Sequence, residues 1–134
     1  MKKTRILFIS DLHLCPNRTE MTALFIQFLS HEAQNADALY ILGDLFDIWI
    51  GDDDINSFSE PIIHKLNQFT KNGTPCYFIR GNHDFLVGKR MSQMAGMTLL
   101  DDPTVLHYGN QRYLLSHGDA FCLADKAHQR YRNF

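Results

Sequence analysis

Four apolar runs of strand length each end in a cluster of acid, imidazole or carboxamide side chains. Ile6-Leu7-Phe8-Ile9 leads to Asp11-Leu12-His13, and Ala38-Leu39-Tyr40-Ile41-Leu42 leads to Gly43-Asp44-Leu45-Phe46-Asp47. Cys76-Tyr77-Phe78-Ile79 leads to Gly81-Asn82-His83-Asp84, and Tyr113-Leu114-Leu115 leads to Ser116-His117-Gly118-Asp119. Buried strands that release polar groups at their ends are the hallmark of an open α/β sheet, whose strand carboxyl ends share one crevice. Oxygen and nitrogen ligands converging there point to a metal site, and their repetition points to two ions.

The segments between the runs alternate in period. Met21, Leu24, Phe25, Phe28 and Leu29 recur at helical spacing, so a helix capped by Thr19 or Asn17 is expected through about residue 35. Ile62, Ile63, Leu66 and Phe69 predict a second helix over about 57–71, closed by Asn72-Gly73. A short helix is expected near 88–95. Short strands are expected over 97–100, 104–108 and 111–116, with Gly109-Asn110 as a two-residue hairpin turn. The opening β-α-β-α-β order implies a parallel sheet with right-handed crossovers.

Composition narrows the functional classes. With 45% hydrophobic and 21% charged residues the chain reads as globular. A formal charge of -2 leaves no basic footprint, so binding of nucleic acid by bulk electrostatics is not expected. Cys15, Cys76 and Cys122 form no paired motif, which argues against a disulfide framework or a thiolate zinc site and suits a reducing compartment. The basic start is followed by an apolar run that reaches Asp11 at once, so it reads as the first strand rather than a signal peptide. No run approaches the ~20 apolar residues of a spanning helix. The expectation is a cytoplasmic protein, with peripheral contact with the inner membrane left open.

Each block has a bland reading beside its chemical one. Asp11 and His13 can reach one ion if the chain turns after the strand; otherwise they are a capping acid and a surface imidazole. Asp44 can bridge two ions through its two oxygens, or cap a helix. Asp47 is better placed to orient a ligand from behind. Asn82 is a neutral oxygen ligand or a turn residue. His83 can protonate a leaving oxygen or stabilise phosphoryl charge, with Asp84 holding its ring. His117 can ligate through one nitrogen or be structural. Trp49 and Asp52-Asp53-Asp54 read first as a solvated acidic loop anchored by an aromatic ring, with a place near substrate as the alternative.

D-x-H, G-D-x-x-D, G-N-H-D and H-G-D in this order resemble the successive motifs of the calcineurin-like metallophosphoesterase superfamily. That family carries a further G-H-x-H block, which this chain lacks; after His117 its only histidine is His128. The resemblance implies an α/β fold: mixed sheets flanked by helices in a phosphoesterase sandwich. Residues 1–134 are then the N-terminal portion of one domain, cut within a helical lid. Longer matches around Asp11–Cys15, Ala36–Phe46, Trp49–Asp54, Pro75–Phe78 and Gly96–Leu100 resemble one branch of the superfamily. That branch cleaves the pyrophosphate of a UDP-linked acylated sugar in lipid A biosynthesis, releasing UMP and the acylated sugar phosphate.

By this resemblance Asp11, His13, Asp44, Asn82 and His117 are metal ligands, with Asp44 bridging. The cofactor is manganese, two ions in the complete enzyme, with magnesium, zinc or ferrous iron left open. Asn82, His83 and Asp125 meet the nucleotide-linked lipid substrate, and His83 is the catalytic residue. The branch usually carries Arg where this chain has His83. An imidazole does not reproduce a bidentate guanidinium clamp. The remaining alternatives are a phosphoesterase of other substrate and a non-catalytic scaffold or fragment of the same fold.

Overall fold

The computed structural model describes residues 4–118. Strands β1 (Ile6–Ile9), β2 (Ala38–Leu42), β3 (Cys76–Ile79) and β4 (Met97–Leu100) form one parallel sheet in the order β1-β2-β3-β4. Pairing of Ile9 with Ile41 and of Leu42 with Ile79 brings the strand ends nearly level. The residues after Ile9, Leu42 and Ile79 therefore leave the sheet along one edge. Strands β5 (Thr104–Tyr108) and β6 (Gln111–Leu115) form a separate antiparallel hairpin. Its turn is the expected Gly109-Asn110, with Gly109 at φ +61°.

Crossovers of one hand between sequential parallel strands deliver their helices to one face. Helices α1 (Thr19–Ser30), α2 (Ser59–Lys71) and α3 (Lys89–Ala95) lie side by side there, α1 against α2 and α2 against α3. Their apolar stripes, including Phe25, Leu29, Ile62, Leu66 and Met91, close over Leu39, Ile41 and Phe78. Full burial of each such side chain contributes about 1.5–3 kcal/mol. The alternate residues of β2 and β3 form a second cluster on the opposite face, where Tyr40, Ile79 and Leu115 meet side chains of the hairpin. Here Tyr40 stacks between Phe8 and Tyr77, with ring centroids 5.3 and 4.6 Å apart. The parallel sheet, the antiparallel hairpin and the flanking helices make the mixed α/β architecture expected from the sequence. Among the described residues no helix is long and apolar enough to cross a membrane.

Three local expectations differ. Neither Asn17 nor Thr19 caps α1. Arg18 is the N-cap and makes no side-chain cap bond, because a guanidinium carries donors only; it donates instead to the carbonyls of Leu12 and His13 at 3.3 and 3.2 Å. The helix also stops at Ser30, and a 3-10 turn over Glu32–Asn35 replaces its last turns. That tighter turn buries Ala33 and returns the chain to β2, where Asp37 N–H donates to the Arg5 carbonyl at 2.7 Å. The second helix begins two residues later than expected, after Asn56 Oδ1 accepts the N–H groups of Phe58 and Ser59. The polar segment beyond Ala124 lies outside the described residues.

Candidate metal centre

The loop after β1 runs alongside the loop after β2. N–H groups of Asp11, His13 and Leu14 donate to the carbonyls of Gly43, Asp44 and Leu45 at 3.1, 3.0 and 2.8 Å. Leu12 and Leu14 pack on the core, which leaves the alternate residues Asp11 and His13 facing the strand-end crevice. Asp11, His13 and Asp44 have φ of +60, +51 and +54°, the non-glycine residues in the left-handed region among those described. Such a backbone costs on the order of 1 kcal/mol per residue and recurs where a functional site over-determines it. Three residues read as ligands from the sequence are thus the three that carry this strain.

Asp44 lies at the centre, with its side chain 4% exposed. Its Oδ2 is 3.6 Å from His13 Nε2 and 3.3 Å from His117 Nε2. Asp11 Oδ1 is 3.9 Å from the same His13 nitrogen. The other nitrogens of both imidazoles are tied from behind: His117 Nδ1 lies 2.8 Å from the Leu42 carbonyl and His13 Nδ1 3.1 Å from Asp47 Oδ1. A carbonyl or carboxylate oxygen only accepts, so each Nδ1 carries a proton and each Nε2 is left facing Asp44. Asn82 adds a further acceptor: its amide oxygen faces His117 Nε2 at 3.2 Å and has only acceptors around it. Turned over, the amide nitrogen donates to Asp44 Oδ2 at 2.9 Å. Lone pairs of two imidazoles, a carboxamide and a carboxylate meeting at one point fit a divalent cation. So does the grouping of Asp11, His13 and Asp44, whose ligand atoms lie within 4.8 Å of one another.

The two oxygens of Asp44 are not equivalent. Oδ1 accepts the backbone N–H of His83 at 2.9 Å, leaving Oδ2 to face both imidazoles. The close approach needs glycine on both flanks. A Cβ on Gly81 would stand 2.5 Å from Asp44 N, and one on Gly43 2.5 Å from His117 Nδ1.

His83 stands at the mouth of this cluster, edge-on to His13 with ring centroids 4.6 Å apart. The expected Asp84 brace for its ring is not made. Instead His83 Nδ1 donates to the Asp47 carbonyl at 2.8 Å, and Asp47 Oδ1 lies at 3.6 Å. The Asp47 carbonyl, and then the charges of Asp44, Asp47 and Asp84, hold the imidazole above its ordinary range. It therefore stays cationic further into neutral pH. Asp47 takes the orienting role expected of it, for His13 and His83 together. His13, Asp47 and His83 also form a second group with ligand-atom spacing suited to a metal.

Asp84 turns inward and is fully buried. Its carboxylate accepts N–H groups of Asp44, Leu45, Phe46 and Gly81 at 3.1, 2.8, 3.2 and 2.9 Å. Burial raises its pKa; the N–H groups of Gly81, Phe46 and Asp44 pull it back, and the Asp44 carboxylate adds to the rise. Asp52 supplies another contact that sequence reasoning missed. It accepts N–H groups of Gly88 and Met91 at the start of α3 and of the Trp49 indole, each at 3.0 Å. Trp49 is buried, so the loop is anchored by its aromatic ring as expected, while Asp53 stays fully exposed. Asp125 and Asp119 lie outside the described residues.

A parallel sheet whose strand ends gather imidazole, carboxylate and carboxamide groups around one aspartate defines a class. The chain belongs to the calcineurin-like phosphoesterase family, whose model matches residues 4–133. Among curated proteins it is similar to the UDP-2,3-diacylglucosamine hydrolases of Vibrio cholerae, at 52% identity, and Aeromonas hydrophila, at 50%. Each match covers 94% of this chain and 52% of the relative, so the chain spans about half the length of the curated relatives it matches. The solved structure of Pseudomonas putida nuclease MPE shares the fold with a TM-score of 0.58 and 21% identity, over 75% of this chain and 49% of that one. The Escherichia coli phosphoesterase Yfce aligns with a TM-score of 0.50 and 23% identity, over 86% and 58%.

Proposed function

We propose that this chain forms the N-terminal part of a metal-dependent hydrolase that cleaves the pyrophosphate of UDP-2,3-diacylglucosamine, releasing UMP and 2,3-diacylglucosamine 1-phosphate for lipid A biosynthesis. The observation that carries the hydrolase reading is Asp44 Oδ2 facing the Nε2 atoms of His13 and His117 at 3.6 and 3.3 Å, with both Nδ1 atoms tied elsewhere. Identity near 50% with the named hydrolases supports the substrate.

Asp11, His13 and Asp44 would hold one divalent ion, and Asp44, Asn82 and His117 a second; the proposed metal is manganese. When bound, two such ions acidify a water molecule and neutralise phosphoryl charge. The chain's own residues do the rest. Asp47 and the Leu42 carbonyl fix the imidazole tautomers. His83, held toward its cationic form by the Asp47 carbonyl and nearby carboxylates, contributes positive charge where the leaving oxygen develops charge. Asn82 and Asp125 would complete the substrate contacts. A lipid-linked substrate supports a cytoplasmic protein in peripheral contact with the inner membrane.

The test uses the chain joined to the half of the relatives' length that it does not cover, with manganese, on the UDP-lipid and on simple phosphodiesters. UMP release from the UDP-lipid is expected, and His83→Arg is expected to retain or raise it, because guanidinium grips a diphosphate through more donors. Ready turnover of simple diesters without UMP release would replace this substrate with that of a phosphoesterase of other specificity.

A further inference from the structure

A carboxylate with no exposed surface, placed beside another carboxylate, is an expensive residue unless something requires it. Asp84 is such a residue. A carboxylate offers about four lone-pair sites and no donor. All four are taken by backbone N–H groups, three from the loop after β2 (Asp44, Leu45, Phe46) and one from the loop after β3 (Gly81). No neutral side chain can replace it. Asparagine would turn an NH2 group toward N–H donors, and serine has one oxygen for four partners.

The bonds fall at consequential places. Asp44 is the central acid, held at φ +54°, and Leu45 and Phe46 continue the same turn. Gly81 presses so closely on Asp44 that a side chain there would collide with the carboxylate. Asn82 and His83 follow Gly81 directly, and His83 N–H reaches Asp44 Oδ1 at 2.9 Å. One buried carboxylate therefore sets the separation of the two loops that present Asp44 and Asn82.

We propose that Asp84 is a positioning residue: it locks the exit loops of β2 and β3 together, so that Asp44 and Asn82 stand at ion-binding separation before a divalent cation arrives. This rests on the metal-binding reading of the same crevice. Groups that orient metal ligands from behind are commonly worth 10–100-fold in affinity.

Asp84→Asn keeps the shape and removes the charge. Its manganese affinity, measured by calorimetry well below its melting temperature, is expected to fall at least about 10-fold. Ile62→Val, a core change in α2 that leaves the carboxylate and its four donors in place, serves as the control for lost stability and is expected to bind as the parent does. Equal binding by Asp84→Asn and the parent would overturn the positioning role alone. A parent chain that takes up no manganese overturns the metal reading and this inference together. Should Asp84→Asn not fold, peptide-resolved hydrogen exchange on the parent decides the matter. Amides of Asp44, Leu45, Phe46 and Gly81 should be equally protected with and without manganese. Protection that develops only when metal is added would show that the ion, not Asp84, orders the loops.

Discussion

The two sides of the crevice are built differently. Asp44 and His117 have side chains only 4% and 5% exposed, pinned by Asp84, the Leu42 carbonyl and two tightly packed glycines. Asp11, His13 and His83 have side chains 56%, 26% and 43% exposed, and the two imidazoles share the single brace of Asp47. The buried side is fixed mainly by backbone groups and tolerates little change. The open side hangs on one residue, Asp47, whose carboxylate holds His13 and whose carbonyl holds His83.

If Asp44 serves both sides, removing it has the largest effect. Asp44→Ala should abolish manganese binding in calorimetry, and unchanged affinity in that variant would remove the two-metal arrangement. On the open side, Asp47→Asn should weaken manganese binding about 10-fold, because His13 loses the carboxylate that orients it. An NMR titration of the same variant should show a lower His83 pKa, since one of the carboxylates raising it is gone. An unmoved His83 pKa would mean that the Asp47 carbonyl and the Asp44 and Asp84 charges hold the ring without the Asp47 carboxylate.

Outside both sides, Asp52→Ala should cost about 1 kcal/mol of stability in denaturant melts, the usual worth of a helix cap, and leave metal affinity unchanged. Burial pushes the Asp52 carboxyl up, but the N–H groups of Met91 and Gly88 and the Trp49 indole outweigh it, and its pKa lies below 3.8. A depressed carboxyl contributes stability that is present above its unfolded pKa and fades as pH falls through the folded value. The acid limb of the stability profile should therefore flatten in Asp52→Ala. The smallest effect belongs to His83. Its pKa is raised above 6.5, so its contribution is complete below the unfolded value and is lost as pH rises through the folded one. His83→Gln should remove a shallow decline in stability above about pH 6.5. A decline that persists in the variant would assign the titration to another group.

Much of this was legible in the chain. Apolar runs with polar ends located β1, β2 and β3 within a residue or two, and Gly109-Asn110 identified the hairpin, because strand burial and turn chemistry are local properties. The motif residues Asp11, His13, Asp44, Asn82 and His117 do come together, since level strand ends bring their following loops to one edge. What failed was specific to contacts distant in sequence. The α1 helix ends at Ser30, and the 3-10 turn after it buries Ala33 in the core that the sheet and helices share.

By itself the sequence determined the alternation of strands and helices, the family, and which polar residues stand at the strand ends. These follow from side-chain period and from motif order, which survive without knowledge of distant partners. Only the tertiary structure decided that Asp84 faces the backbone of two loops rather than the His83 ring, and that Asp47 serves both open-side imidazoles. It alone decided that Asp52 caps a helix thirty-six residues onward. A carboxylate accepts from whatever donors surround it, and those donors come from segments that meet only after the chain has folded.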